Sequence, residues 1–172
     1  LEMLEGHKSD PLSVLSKTFS CEESDLCNIS TSEHKDGTLL VVWSGIPFFS
    51  MCAHHLLPFY GYVYVGMLLK EHMIGLSKVP RLVHVCSRRL QVQEHLTHQI
   101  GSLLSRLPFC KGVAVVIDGI HMCVKIRGAK TNSVFTTSYV SGYFLENREN
   151  IKDEFFELIR PQRVSLSGGT SC

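Results

Sequence analysis

At 172 residues, 44% of them hydrophobic and 19% charged, the chain has the balance of one folded domain with an apolar core, which excludes bulk disorder. A net charge of +1 argues against a general nucleic-acid binder but leaves room for a local basic pocket. The longest apolar runs, such as Leu39–Trp43 and Val113–Ile117, are strand-sized and far from the roughly 20 residues that cross a bilayer, so no membrane partner is expected.

The chain starts at Leu1 rather than Met and opens on what reads as the end of a helix, as a fragment would. Asp10-Pro11 is a helix-start signal, acid as cap and proline in the first turn, and predicts a short helix over Pro11–Phe19. Cys21–Gly37 is polar and acidic and reads as a loop, so residues 1–37 form a truncated helical lead and loop ahead of a main domain over 38–160. Thr38–Phe49 is β-rich, Met51–Leu57 a turn segment, and Phe59–Leu68 a second strand with Gly61 and Gly66 inside it. Ser77–Arg106 has helical character. Pro80 is tolerated in the first turn of a helix capped by Ser77, and Leu96, Ile100, Leu103 and Leu107 then form one apolar stripe. Gly112–Arg127 and Thr131–Phe144 read as two strands joined around Gly128, Asn150–Arg160 as a terminal helix, and 161–172 as a polar tail. The order predicts an α+β fold, an antiparallel sheet with paired helices on one face.

Seven cysteines, Cys21, Cys27, Cys52, Cys86, Cys110, Cys123 and Cys172, are odd in number and show no framework rhythm. No export signal opens the chain, so they read as reduced thiols in the cytoplasm, some available to a metal. Two segments carry that chemistry: Cys52-Ala53-His54-His55 and His121-Met122-Cys123. Strand alternation after Gly112 would put His121, Cys123, Lys125 and Arg127 side by side on one face, a row that is expensive to bury without partners. Cys52 and His55 lie three apart in a turn, and with Cys123 they make the thiolate–imidazole–thiolate set that zinc prefers. Three protein ligands leave a place for water, the mark of a catalytic site. The same residues also fit a small core cysteine and satisfied polar histidines.

Gly75-Leu76-Ser77-Lys78 followed by Arg81 places a serine and two cations at a helix start, an anion seat that Lys125 and Arg127 could complete; a plain helix start with solvated charges fits as well. Gln93 and Glu94 precede the leucine stripe, and a carboxylate there can accept two hydrogen bonds from the amidine edge of guanine, or be an ordinary exposed helix acid.

Taken together, Ser50–Phe59, Gly75–Arg81, Ser87–Glu94, His121–Cys123 and Arg127-Gly128 resemble GTP cyclohydrolase I from about Asp10 to Arg160. The resemblance implies one zinc per subunit on Cys52, His55 and Cys123, and acid/base roles for His54 and His121. It implies GTP as substrate, its triphosphate and ribose held by the Leu76, Ser77, Lys78, Arg81 and Arg127 group and its guanine read by Gln93 and Glu94. It implies a tunnelling fold whose sheets close into a barrel across subunits, a homodecamer of two pentamers with active sites between subunits, and room for a regulatory protein. Two departures stand out: Ala53 replaces the family's usual Glu, and the leading helical region is absent before Leu1. Rival readings are a catalytically silent GTP-binding paralogue, another tunnelling-fold enzyme acting on a pterin or deazapurine, and a structural zinc module, which would need a fourth protein ligand.

Overall fold

Alternating and continuous apolar runs in the chain turn into a sheet that needs cover on both faces. The computed structural model describes residues 2–16, 18–20 and 37–167; Cys21, Cys27, Cys172 and nearly all of the loop predicted over Cys21–Gly37 lie outside the described residues. In chain order the elements are helix α1 (Pro11–Val14), strands β1 (Thr18–Ser20), β2 (Leu39–Cys52), β3 (Pro58–Leu69) and β4 (His72–Ile74), and helix α2 (Lys78–Ser87). There follow β5 (Leu90–Gln91), α3 (Gln93–Leu104), β6 (Cys110–His121), the one-turn helix α4 (Met122–Lys125), β7 (Phe135–Gly142) and α5 (Ile151–Ser167).

Five strands form the main sheet in the order β5-β2-β3-β6-β7. The β2–β3, β3–β6 and β6–β7 pairs are antiparallel, while β5 runs parallel to the last two residues of β2. The β2–β3 register slips between Trp43 and Ile46, where Gly45 takes φ 74°, a value that costs glycine nothing and lets the strand bulge.

The paired helices lie on one face, as the pattern predicts. Leu82, Val83 and Cys86 of α2, with Leu96, Ile100 and Leu104 of α3, pack on Phe59, Val63, Val65, Val113, Val115 and Ile117 of the sheet, all fully buried. Each such side chain stabilises the fold by about 1.5–3 kcal/mol relative to exposure. The other face is covered by α5: Ile151, Phe155 and Ile159 pack with Phe144 on Tyr64, Leu68, Ala114 and Val116. This second apolar surface explains why β3 and β6 are apolar on both sides, since strands sandwiched between helices do not alternate.

Several element boundaries differ from the sequence reading, among them the strand expected over Thr131–Phe144, which spans Phe135–Gly142. The first helix ends at Val14, and Phe19 instead pairs with Met73 in the small β1–β4 ribbon. The helical stretch over 77–106 divides, because Leu90–Gln91 forms a strand beside Met51–Cys52. The strand expected over Gly112–Arg127 stops at His121 and the chain coils into α4, so Cys123, Lys125 and Arg127 do not continue a strand face. The terminal helix runs through Pro161 to Ser167 rather than ending at Arg160. Proline in a helix interior costs about 3 kcal/mol, and here the turn beyond it is tied down by Arg163, whose guanidinium reaches Asp118 of β6 at 2.8 Å and 3.0 Å.

Candidate metal centre and cleft

Cys52 is the last residue of β2, and the chain reverses immediately after it. The reversal is closed by Leu56 N–H on the Cys52 carbonyl (2.9 Å) and Cys52 N–H on the Leu57 carbonyl (2.9 Å). Ala53 N–H donates to the Gln91 carbonyl at 3.0 Å, so the turn is anchored to β5 through backbone. This tight turn brings the His55 ring back to Cys52, with Sγ and Nδ1 3.6 Å apart. Cys123 arrives from the other side of the sheet end, in the first turn of α4. The ligand atoms of Cys52, His55 and Cys123 all lie within 4.8 Å of one another, and both cysteines are buried.

Burial first, and the neighbouring Cys52 sulfur second, push the Cys123 thiol above its ordinary range, while Arg127 pulls it back down. A thiol whose ionisation is disfavoured by burial, with a second cysteine sulfur and an imidazole beside it, suits a divalent cation, which deprotonates a coordinating thiol outright. The donor set therefore fits zinc.

Beside the sulfurs, His121 ends β6 between two rings: it stacks on Phe59 at 4.6 Å and 6° and meets Phe135 edge-on at 5.5 Å. Its Nε2 lies 2.9 Å from Oε1 of Gln93. The orientation of that amide follows from its partners. Gln93 Nε2 donates to the carbonyls of Ile117 (3.1 Å) and Phe135 (2.9 Å) and to Thr137 Oγ1 (3.0 Å), which leaves Oε1 as acceptor. His121 must then carry its proton on Nε2, with Nδ1 as the basic ring atom. Burial lowers the His121 pKa, with Glu94 acting in the opposite direction, so the neutral ring is favoured. Gly119 makes this possible: a Cβ there would stand 2.2 Å from Gln93 Oε1.

These residues face one cleft of about 330 Å³, lined by Cys52, His54, His55, Gln93, Glu94, His121 and Cys123 together with Val92, Val124, Phe135, Thr136 and Thr137. The chain thus brings together the predicted metal set, both predicted acid/base histidines and both predicted guanine readers. Glu94 is exposed in the first turn of α3, whereas Gln93 is only 2% exposed and its amide is committed to protein partners. None of the predicted anion-seat residues, Leu76, Ser77, Lys78, Arg81 and Arg127, lines the cleft, although Arg127 stands near enough to Cys123 to act on its thiol. Ser77 occupies the cap position of α2 without a side-chain cap bond, Arg81 is exposed, and Leu76 is 66% exposed with its carbonyl accepting from Trp43 Nε1 at 2.9 Å. Sequence reasoning missed the wall made by Phe135, Thr136 and Thr137, which reaches the cleft only through the β6–β7 pairing that sets Asp118 opposite Thr136. It also missed Phe59 as the platform under His121, although that residue closes the Ser50–Phe59 motif.

The family model for GTP cyclohydrolase I matches residues 1–160. The chain belongs to the GTP cyclohydrolase I family. Among curated relatives, GTP cyclohydrolase 1 of Campylobacter jejuni subsp. doylei is 44% identical over 146 residues, 84% of this chain and 76% of that protein. GTP cyclohydrolase 1 of Campylobacter lari is also 44% identical, over 90% of this chain and 74% of the relative. The bifunctional protein FolKE of Lactococcus lactis is 50% identical over 120 residues, which are 69% of this chain but 34% of that protein.

Proposed function

We propose that this chain hydrolyses the imidazole ring of GTP and converts the product to 7,8-dihydroneopterin triphosphate with release of formate, the opening step of folate or tetrahydrobiopterin synthesis. The observation that carries the reading is the single cleft in which a three-atom metal set within 4.8 Å adjoins two histidines and an exposed carboxylate. Cys52, His55 and Cys123 would hold zinc, which when bound supplies a Lewis acid able to activate water near neutral pH.

The remaining work falls to the chain's own side chains. Glu94 offers its carboxylate to the N1–H and 2-amino group of guanine. His121, its Nε2–H spent on Gln93, uses Nδ1 to give and take a proton at the purine ring nitrogen as water adds to the carbon between the imidazole nitrogens. His54, exposed at the mouth, is the second acid/base group as the ring opens and formate leaves. Phe59 and Phe135 hold the His121 ring by contact on two sides and screen it from bulk water. The Leu76–Arg81 segment and Arg127 bind the triphosphate and ribose. That the Leu76–Arg81 segment does not line the cleft within one chain supports a site completed between subunits, α2 of one copy facing the cleft of another.

That arrangement accords with a homodecamer of two pentamers. Among the described residues the outer edge of β7 is unpaired, and β2 is paired on its outer side only at Met51 and Cys52. Phe49 (53%) and Phe135 (40%) stay exposed near these edges, as surfaces waiting for another copy do. No helix among the described residues is long and apolar enough to cross a membrane, and Cys52, Cys86, Cys110 and Cys123 are free thiols, which suits a reducing cytoplasm. Incubating zinc-loaded protein with GTP tests the reading: pteridine fluorescence should rise together with formate. Tight GTP binding with no turnover would instead make the chain a silent paralogue, and Ala53→Glu would then show whether that position is responsible.

A further inference from the structure

Asp118 is a carboxylate the mechanism does not use, only 4% exposed, on the face of the sheet opposite the α2–α3 layer. Three groups converge on it. Arg163 of α5 binds both oxygens, Nε to Oδ2 at 2.8 Å and Nη2 to Oδ1 at 3.0 Å. Thr136 of β7 donates its hydroxyl to Oδ1 at 2.6 Å, and Arg163 Nη2 also reaches that hydroxyl at 3.4 Å. A fork-on-carboxylate pair of this geometry is directional, unlike a loose surface ion pair. Arg163 is 31% exposed, so the pair sits at the rim with its acid inside.

Thr136 is also part of the cleft wall. Its neighbours on β7 turn to the opposite face, where Phe135 contacts His121 and gives its carbonyl to Gln93, and Thr137 accepts from Gln93. The first residues of β7 are therefore held from both sides, by Gln93 on the cleft side and by Asp118 and Arg163 behind. Among the described residues β7 has no partner strand beyond β6. The rear grip consequently decides how firmly Phe135 sits against His121. Arg163 also lies past residue 160, where the family match ends, in the turn of α5 that follows Pro161.

We propose that Arg163 is a positioning residue for the cleft, acting through Asp118 and Thr136 to fix the start of β7 and so the Phe135 ring that packs on His121. This rests on the reading of the cleft as the GTP site. Arg163→Met keeps the aliphatic stem and removes the fork. It should lower kcat about tenfold with KM within about twofold of the parent, because the chemistry is misplaced rather than binding lost. Arg163→Lys, which keeps the charge, should recover part of that loss. Thr136→Val should reproduce the loss, and adding it to Arg163→Met should cost no more than either alone, since both cut one linkage.

A second readout needs no turnover. Hydrogen exchange at the amides of 135–137 should speed up about tenfold in Arg163→Met while the amides of α3 stay as in the parent. If Arg163→Met lowers the thermal midpoint but leaves kcat and the 135–137 exchange unchanged, Arg163 is only an anchor for α5 and the proposal is overturned. Should Arg163→Met fail to fold, the paired change Asp118→Asn with Arg163→Met removes the unpaired charge. That variant must then show the same kcat loss and faster exchange, and parent values in it overturn the proposal. If the parent itself does not turn over GTP, the functional reading fails, and the exchange measurement still decides the linkage.

Discussion

Gln93→Leu removes in one step the polar bonds that hold His121 and the start of β7 against α3. The side chain is 2% exposed, so no water stands ready to replace what is lost. The variant strands the His121 Nε2–H and takes a donor from the carbonyls of Ile117 and Phe135, while Thr137 keeps its contact with Thr97 at 2.7 Å. At about 1–3 kcal/mol for each buried group left unsatisfied, offset by the apolar gain of leucine, the net loss is about 3 kcal/mol. For a domain of this size that lowers the thermal midpoint by roughly 6–12 °C. The His121 tautomer is no longer fixed, so kcat should fall by about 100-fold. Zinc content should not change, because Gln93 bonds to none of the three ligands. Calorimetry, elemental analysis and steady-state kinetics on the same preparation check all three. A variant with the parent's midpoint and kcat but a raised KM for GTP would refute the reasoning and return Gln93 to the guanine-reading role predicted from sequence.

Cys123→Ser should lose both metal and turnover with the fold retained, as elemental analysis and circular dichroism would report; full zinc occupancy would remove Cys123 from the ligand set. His54→Ala should keep its zinc and lose turnover by about 100-fold, and loss of zinc instead would exchange the roles of His54 and His55. Arg81→Ala should raise KM for GTP by roughly 10- to 100-fold with zinc unchanged, since a charge-assisted contact contributes about 1.5–3 kcal/mol; equal weakening of guanosine would mean that Arg81 supports the fold. Burial, with Asp118 second, pushes the Tyr64 phenol up to about 12 from 10.0. Its proton is held more tightly in the folded chain, so this contribution is full below pH 10, is lost as pH rises through about 12, and should be missing from alkaline denaturation curves of Tyr64→Phe.

The parts of the site that were legible in the sequence are those whose chemistry is local. Cys52 and His55 are joined by one turn, and the His121–Cys123 segment shows its ligand types in three consecutive residues, so residue type and spacing were sufficient to nominate them. The leucine stripe likewise announced α3, because helical periodicity needs no partner to be visible. What the sequence concealed depends on pairing at a distance. Gln93 looked like an exposed reader beside Glu94, yet the adjacent residue on a helix points about 100° away, and here that direction is into the sheet. The wall at Phe135–Thr137 exists only because β7 pairs with β6 in one register. Pro161 read as a stop because the rule for proline is local, while the Arg163–Asp118 bond that holds the next turn spans 45 residues. Residue types at the start of α2 suggested an anion seat and the family resemblance favoured it over a plain helix start, yet within a single chain those residues do not line the cleft.

GTP carrying carbon-13 at position 8 of the purine offers the most direct measurement of what the cleft does. The zinc-loaded parent should release that carbon as labelled formate, one equivalent for each pteridine formed, and Cys123→Ser should release none. Pteridine formed without labelled formate, or labelled formate released at the parent's rate by Cys123→Ser, would contradict ring hydrolysis at the Cys52, His55 and Cys123 centre.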